Sequence, residues 1–177
     1  MKSQQNVSVW WSLKVKQVTI KNNIAMRIKT TTWFETSIKC KKTMEDGFER
    51  MVSETYAVDV LSFTEAEEKT IEEIASAIAG ECEVKAIKKA GYSEVIFSDG
   101  ANDGYFYKAK VKFITLNERT GKETSTTTTY LVQGATLEGA VANISKAMHD
   151  TLGDWHLIAI AETNILDVFE HNDTRQK

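Results

Sequence analysis

Not one of the 177 residues is proline, where an average composition of about 5% would supply roughly nine. That absence excludes a proline-rich linker or tail. Cysteine occurs only twice, as Cys40 and Cys82, far apart in sequence and outside any C-x-x-C or Cys/His cluster of zinc-ligand spacing. A zinc site is thereby excluded, and the two thiols are expected to be reduced and structural. The nine glycines sit singly at turns and helix ends, so no glycine-rich phosphate loop is present. Apolar runs are short, such as Leu157 to Ala161, far below the eighteen or so residues of a membrane helix. The start, Met-Lys-Ser-Gln-Gln-Asn-Val, with Lys14 and Lys16 breaking any apolar stretch, lacks the features of a secretory signal. A cytoplasmic location is the expectation. Neither sign of charge is in large excess: 22 basic against 25 acidic residues give a net charge of −3. No overall field draws in an anionic partner, and any nucleic-acid surface has to be a local patch.

What is there suffices for a globule. With 42% hydrophobic and 27% charged residues the chain can build a core. At this size about 70% of the unfolded surface should be buried. The strongest internal signal is a repeat at an offset of about 73 to 74 residues. One copy runs from Trp33-Phe34 through Ile38, Lys39 and Cys40, a turn at Glu45-Asp46-Gly47, and Thr55-Tyr56-Ala57-Val58. The other has Phe106-Tyr107, Val111, Lys112 and Phe113, a turn ending at Gly121, and Thr129-Tyr130-Leu131-Val132.

Each copy has the same order of elements. Residues 33–43 and 48–60 alternate apolar and polar side chains around a turn, the pattern of a half-buried antiparallel hairpin, and 105–116 with 123–132 repeat it. Ser62 with Glu65 predicts a capping box for a helix over 63–79, whose apolar face is Phe63, Ala66, Ile71, Ile74 and Ile78. Thr136 is the matching N-cap, ahead of Leu137, Ala140, Val141, Ile144 and Met148, with Gly153 placed to end the helix. Strands around 82–89 and 155–161 follow, then short β-like segments at 93–97 and 164–169. The expected fold class is α+β: two fused strand-strand-helix-strand repeats with pseudo-twofold symmetry, antiparallel sheet carrying two amphipathic helices. A single duplicated domain spans 31–170, copy one at 33–97 and copy two at 105–169. Residues 1–30 form an extra hairpin or an N-terminal extension, with Val18, Ile20, Ile24, Met26 and Ile28 alternating, and 171–177 form a tail.

The arrangement Trp33-Phe34-Glu35, then Lys39 with the hairpin turn, then Tyr56-Ala57-Val58-Asp59-Val60-Leu61-Ser62-Phe63-Thr64-Glu65-Ala66-Glu67, resembles the family known as domain of unknown function 4494. Tyr92-Ser93-Glu94, Phe106-Tyr107-Lys108-Ala109-Lys110, Leu131-Val132-Gln133 and Ile165-Leu166-Asp167-Val168-Phe169 extend the resemblance over about residues 32 to 170. The family is found in gut Bacteroides-type bacteria, their prophages and related phages, so the resemblance implies a phage or mobile-element setting. It implies no reaction, cofactor or site residue.

Lysines recur at alternate positions on the first strand of each copy: Lys39 and Lys41, then Lys108, Lys110 and Lys112. Alternation puts each row on one sheet face. Bordered by Trp33, Phe34, Tyr105 and Tyr107, such rows form a candidate site for single-stranded DNA or RNA, the ammonium groups tracking phosphates while bases stack on rings. The plain alternative is that the lysines solvate the sheet and the rings pack inside. Glu94 and Asp167 are repeat-equivalent carboxylates without a visible third ligand. Asp99, Asp103 and Gly104 match only part of a calcium loop, since Ala101 and Lys110 occupy ligand positions. His149 and His156 sit at no catalytic or metal spacing, and the hydroxyl run Ser125 to Thr129 has no base beside it. No catalytic residue, metal or cofactor is therefore expected. The expected function is binding of single-stranded nucleic acid by a phage-associated protein. The alternative is a protein-interaction or structural module that self-associates or binds a host or phage protein.

Overall fold

The computed structural model describes residues 31–75, 81–100, 103–117, 121–149, 151 and 153–171. The hairpin or extension expected over 1–30, helix residues 76–79, and tail residues 172–177 lie outside them. The described elements run β1 (Thr32–Thr43), β2 (Glu49–Val60), α1 (Phe63–Ala75), β3 (Cys82–Lys89), β4 (Glu94–Ile96), β5 (Tyr105–Asn117), β6 (Lys122–Gly134), α2 (Leu137–Met148), β7 (Asp154–Glu162) and β8 (Ile165–Phe169).

Local chemistry accounts for these elements. β1 and β2 pair from Thr32↔Val60 to Thr43↔Glu49. Their turn places Gly47 at φ +78°, a conformation that glycine adopts without a Cβ penalty, and the Asp46 carboxylate accepts from the Phe48 amide at 3.1 Å. At the start of α1 the Ser62 hydroxyl accepts from the Glu65 amide at 3.2 Å, while the Glu65 carboxylate accepts from the Leu61 amide at 2.8 Å. Thr136 caps α2 by accepting from the Gly139 amide at 3.1 Å. Both interactions satisfy helix-end donors that have no intrahelical partner.

The buried stripe of α1 is Ala66, Thr70 and Ile74, and that of α2 is Ala140, Ile144 and Met148. This narrows the expected faces. Phe63, Ile71 and Leu137 are largely exposed, because i, i+4, i+8 spacing aims Ala66, Thr70 and Ile74 at the sheet and leaves flanking positions at its rim. Phe63 still meets the edge of Phe34, with ring centroids 4.7 Å apart. α2 lies very close to β6: a Cβ added to Gly134 would stand 2.7 Å from the Ala140 backbone nitrogen.

Two mixed sheets form, where antiparallel sheet alone is expected from the sequence. Their strand orders are β3-β1-β2-β8 and β4-β6-β5-β7. β8 runs parallel to β2, with Tyr56 opposite Asp167, and β4 runs parallel to β6, with Val95 opposite Leu131. Each short strand thus joins the sheet built by the other hairpin. Periodicity gives a strand its two faces but not its neighbour, so this exchange lies beyond pattern reading.

Three apolar clusters hold the assembly. One, beneath α1, gathers Phe34, Ile38, Cys40, Tyr56, Val58, Val60, Ala66 and Ile74. Another, beneath α2, gathers Tyr107, Ala109, Val111, Val132, Ala140, Ile144 and Met148. The third joins the sheets on their faces away from the helices, through Trp33, Ala57, Tyr92, Phe106, Leu131 and Ile165. Cys40 and Cys82, expected to be reduced, are disulfide-bonded. They stand opposite one another on β1 and β3, their Cα atoms 4.2 Å apart. The 42-residue separation conceals this adjacency, which only the strand order creates.

Candidate functional site

The lysine rows lie on the strand faces turned away from the helices. On β1, Phe34, Ile38 and Cys40 enter the core beneath α1, so Lys39 and Lys41 take the opposite face. On β5, Tyr107, Ala109 and Val111 enter the core beneath α2, and Lys108, Lys110 and Lys112 take the opposite face. These are the faces through which the sheets meet at Trp33 and Phe106, and the lysines follow outward from that contact.

The two rows differ in their company. In the first sheet carboxylates stand close by: Lys41 pairs with Glu49, Lys85 with Glu83 at 2.5 Å, and, on the helix side of the strand, Lys42 with Glu54 at 2.5 Å. Lys39 stands opposite Ser53 on one side and Glu83 on the other. The Glu49 carboxylate, by hydrogen bond and charge, raises the Lys41 ammonium above its ordinary value. In the second sheet, exposed Lys110 is flanked by Thr129 and Ala159, and half-buried Lys112 by Thr127 and His156. Neither lysine has an ion-pair partner among the described residues.

The ring border expected around these rows is not formed. Trp33 shares the lysine face of β1 but is only 4% exposed, in the inter-sheet core. Phe34, at 5%, and Tyr107, at 4%, point beneath the helices. Tyr105 is 56% exposed, yet its register matches Tyr107 and sets it on the face opposite the β5 lysines. Trp33, Phe34 and Tyr107 occupy the inner ends of β1 and β5, where helix or second sheet covers the strand, whereas Tyr105 is open but turned away from the lysines by the strand's alternation.

Between the rows lies a group that the sequence does not advertise. Glu35 on β1 is 3% exposed and receives two ammonium groups, Lys108 from β5 at 2.6 Å and Lys88 from β3 at 2.8 Å. Burial pushes its carboxyl upward, but the hydrogen bonds and charges of Lys108 and Lys88 outweigh that and hold it below the usual carboxylate value. The Lys108 ammonium also lies 5.6 Å from the centre of the Tyr92 ring. Burial, together with the Glu35 charge, pushes the Tyr92 phenol well above its ordinary value. This arrangement binds strands of both sheets to one carboxylate, so Lys108, although 37% exposed, is engaged by the protein's own acid.

The other candidates do not assemble. Glu94 lies opposite Tyr130 on one sheet and Asp167 opposite Tyr56 on the other, both exposed. Asp99 pairs with Lys146 at 2.5 Å, and Asp103 bonds to the Ser98 hydroxyl; Ala101 lies outside the described residues. His149 and His156 are exposed on different elements. No group of three His, Cys, Asp or Glu that could hold a metal ion occurs among the described residues. No described helix is long and apolar enough to cross a membrane.

A family model described as Domain of unknown function (DUF4494) matches residues 32–171. No curated protein matches the chain.

Proposed function

The chain belongs to the DUF4494 family, and from that premise we propose that it is a binding protein, not an enzyme, which holds single-stranded nucleic acid by its phosphates. The observation that carries this reading is the pair of uncompensated ammonium groups on β5, Lys110 and Lys112, set among threonines of β6. Ammonium groups of this kind displace counterions from a polyanion, and hydroxyls beside them can donate to phosphate oxygens. Base stacking has no support from the positions of the four expected rings, so the ligand class is a phosphate backbone without sequence preference. The setting proposed is phage-associated and cytoplasmic. In a reducing cytoplasm Cys40 and Cys82 would stand as two thiols; the disulfide is the form suited to oxidising surroundings.

We also propose that the chain is a duplicated unit with pseudo-twofold symmetry. Written as β3-β1-β2-β8 and β7-β5-β6-β4, the two sheets have corresponding orders. The inter-sheet core supports the same reading, because Trp33 and Phe106, Ala57 and Leu131, Tyr92 and Ile165, Val95 and Val168 each lie about 73 or 74 residues apart.

Fluorescence anisotropy of a labelled single strand across a salt series tests the ligand. The expected outcome is binding at low salt with a log–log slope of about −1.5 to −2, as two or three phosphate contacts produce. Lys110→Glu with Lys112→Glu should abolish it without lowering the melting temperature; affinity indifferent to salt or to these changes refutes the reading. A second reading, self-association or docking to a protein, is favoured by the exposed Met44, Phe48 and Met51 at the end of the β1–β2 hairpin. Light scattering of purified protein separates the two.

A further inference from the structure

We propose that the face between the two halves is a charge-coded pairing surface, on which Glu35 and Lys108 make residues 32–96 accept residues 105–169 and refuse a copy of themselves. The apolar part of this face cannot make that choice. Its members are matched hydrophobic positions, Trp33 with Phe106, Ala57 with Leu131, Tyr92 with Ile165, and burial of apolar area is non-directional. Glu35 and Lys108 occupy matched positions too, 73 residues apart, but carry opposite charge and touch at 2.6 Å.

A position that meets its own counterpart lies beside the axis relating the halves. Two first halves facing one another would therefore bring Glu35 against Glu35, a side chain only 4% open to water where it now meets Lys108. Two second halves would bring Lys108 against Lys108. Like charges held this close oppose association, and poor solvation sharpens this at Glu35 more than at Lys108, whose side chain is 37% exposed, whereas unlike halves bring acid to base. Lys88, carried by the same half and 2.8 Å from the same carboxylate, offsets part of the repulsion between two first halves, so the meeting of two basic faces is the more costly one. The partner that fits each face is thus the opposite half, in the same chain or, by exchange of halves, in a second copy.

The inference rests on the duplicated architecture and not on the anionic ligand. Thermal unfolding of the full chain with Glu35→Lys, Lys108→Glu and both changes together tests it, because each single variant recreates inside one chain the meeting of like halves. Glu35→Lys gathers three ammonium groups and should lower the melting temperature by about 10 °C or more. Lys108→Glu should cost less, since Lys88 remains to pair. The double variant, with the signs exchanged, should melt above both; one that melts no higher than the better single overturns the proposal. Should either single variant fail to fold, folding of the double supports the code and its failure refutes it. The unfolding experiment contains no nucleic acid, so its outcome is independent of the ligand reading.

Discussion

Where β3 meets β1, Cys40 and Cys82 stand opposite and are covalently joined; where β7 meets β5, Phe113 and Trp155 stand opposite and pack into the core beneath α2. The helices above differ in the same sense. α1 buries Ala66, Thr70 and Ile74, and the Thr70 hydroxyl turns back to the Ala66 carbonyl at 2.6 Å. α2 buries Ala140, Ile144 and Met148, and approaches β6 over Gly134 where α1 covers Val60. One half thus joins a leaner apolar helix face to a cross-link, and the other relies on aromatic and aliphatic volume. The same order of elements is reached by two different balances of chemistry.

That comparison can be broken from either side. Reducing the disulfide, or replacing both cysteines with alanine, should cost about 4 kcal/mol, the chain-entropy value for a loop of 42 residues. Urea unfolding with and without reductant measures the loss, and hydrogen exchange should show it at β3 amides while β7 amides keep their protection. Next in size, Ile144→Ala should cost about 3 kcal/mol, by lost burial and a residual cavity, against about 1 kcal/mol for Thr70→Ala at the matching site. Equal losses in denaturant melts would contradict the asymmetry.

The smallest expected effect is on acid stability and sharpens the role of the carboxylate shared by both sheets. Glu35 has its folded value lowered, so its contribution is complete above the ordinary unfolded value of about 4.3 and disappears as pH falls through the folded one. The stability gap between the natural chain and Glu35→Gln should therefore be widest near neutrality and shrink in acid, as chemical denaturation at pH 6 and pH 3 would reveal.

Hairpins and helices were legible because their causes are local. Alternation in Trp33–Thr43, the hydroxyl at Thr136 and the glycines at turns each act within a few residues. The direction of the aliphatic and lysine side chains was legible as well, since Ile38 and Cys40 face a helix while Lys39 and Lys41 do not, but Phe34, Tyr105 and Tyr107 lie on the face opposite the lysines they were expected to border. What covers a face was not legible. Trp33 and Phe34 are buried by elements distant in sequence, and Cys82 reaches Cys40 through strand order alone. Glu35 was hidden for a related reason: a single acid on an alternating strand looks solvated until the second sheet supplies Lys108. Its distance of 73 residues from a lysine in the matching place was the available signal.

The crossed placement of β4 and β8 bears on how the chain is made. Thr55 of β2 waits for Ile165 of β8, and the inter-sheet core waits for the same residue. During synthesis the first sheet must stand with β2 as an unpaired edge until the second hairpin, its helix and β7 have emerged. The order of emergence is therefore not the order of completion: the sheet begun first is closed last.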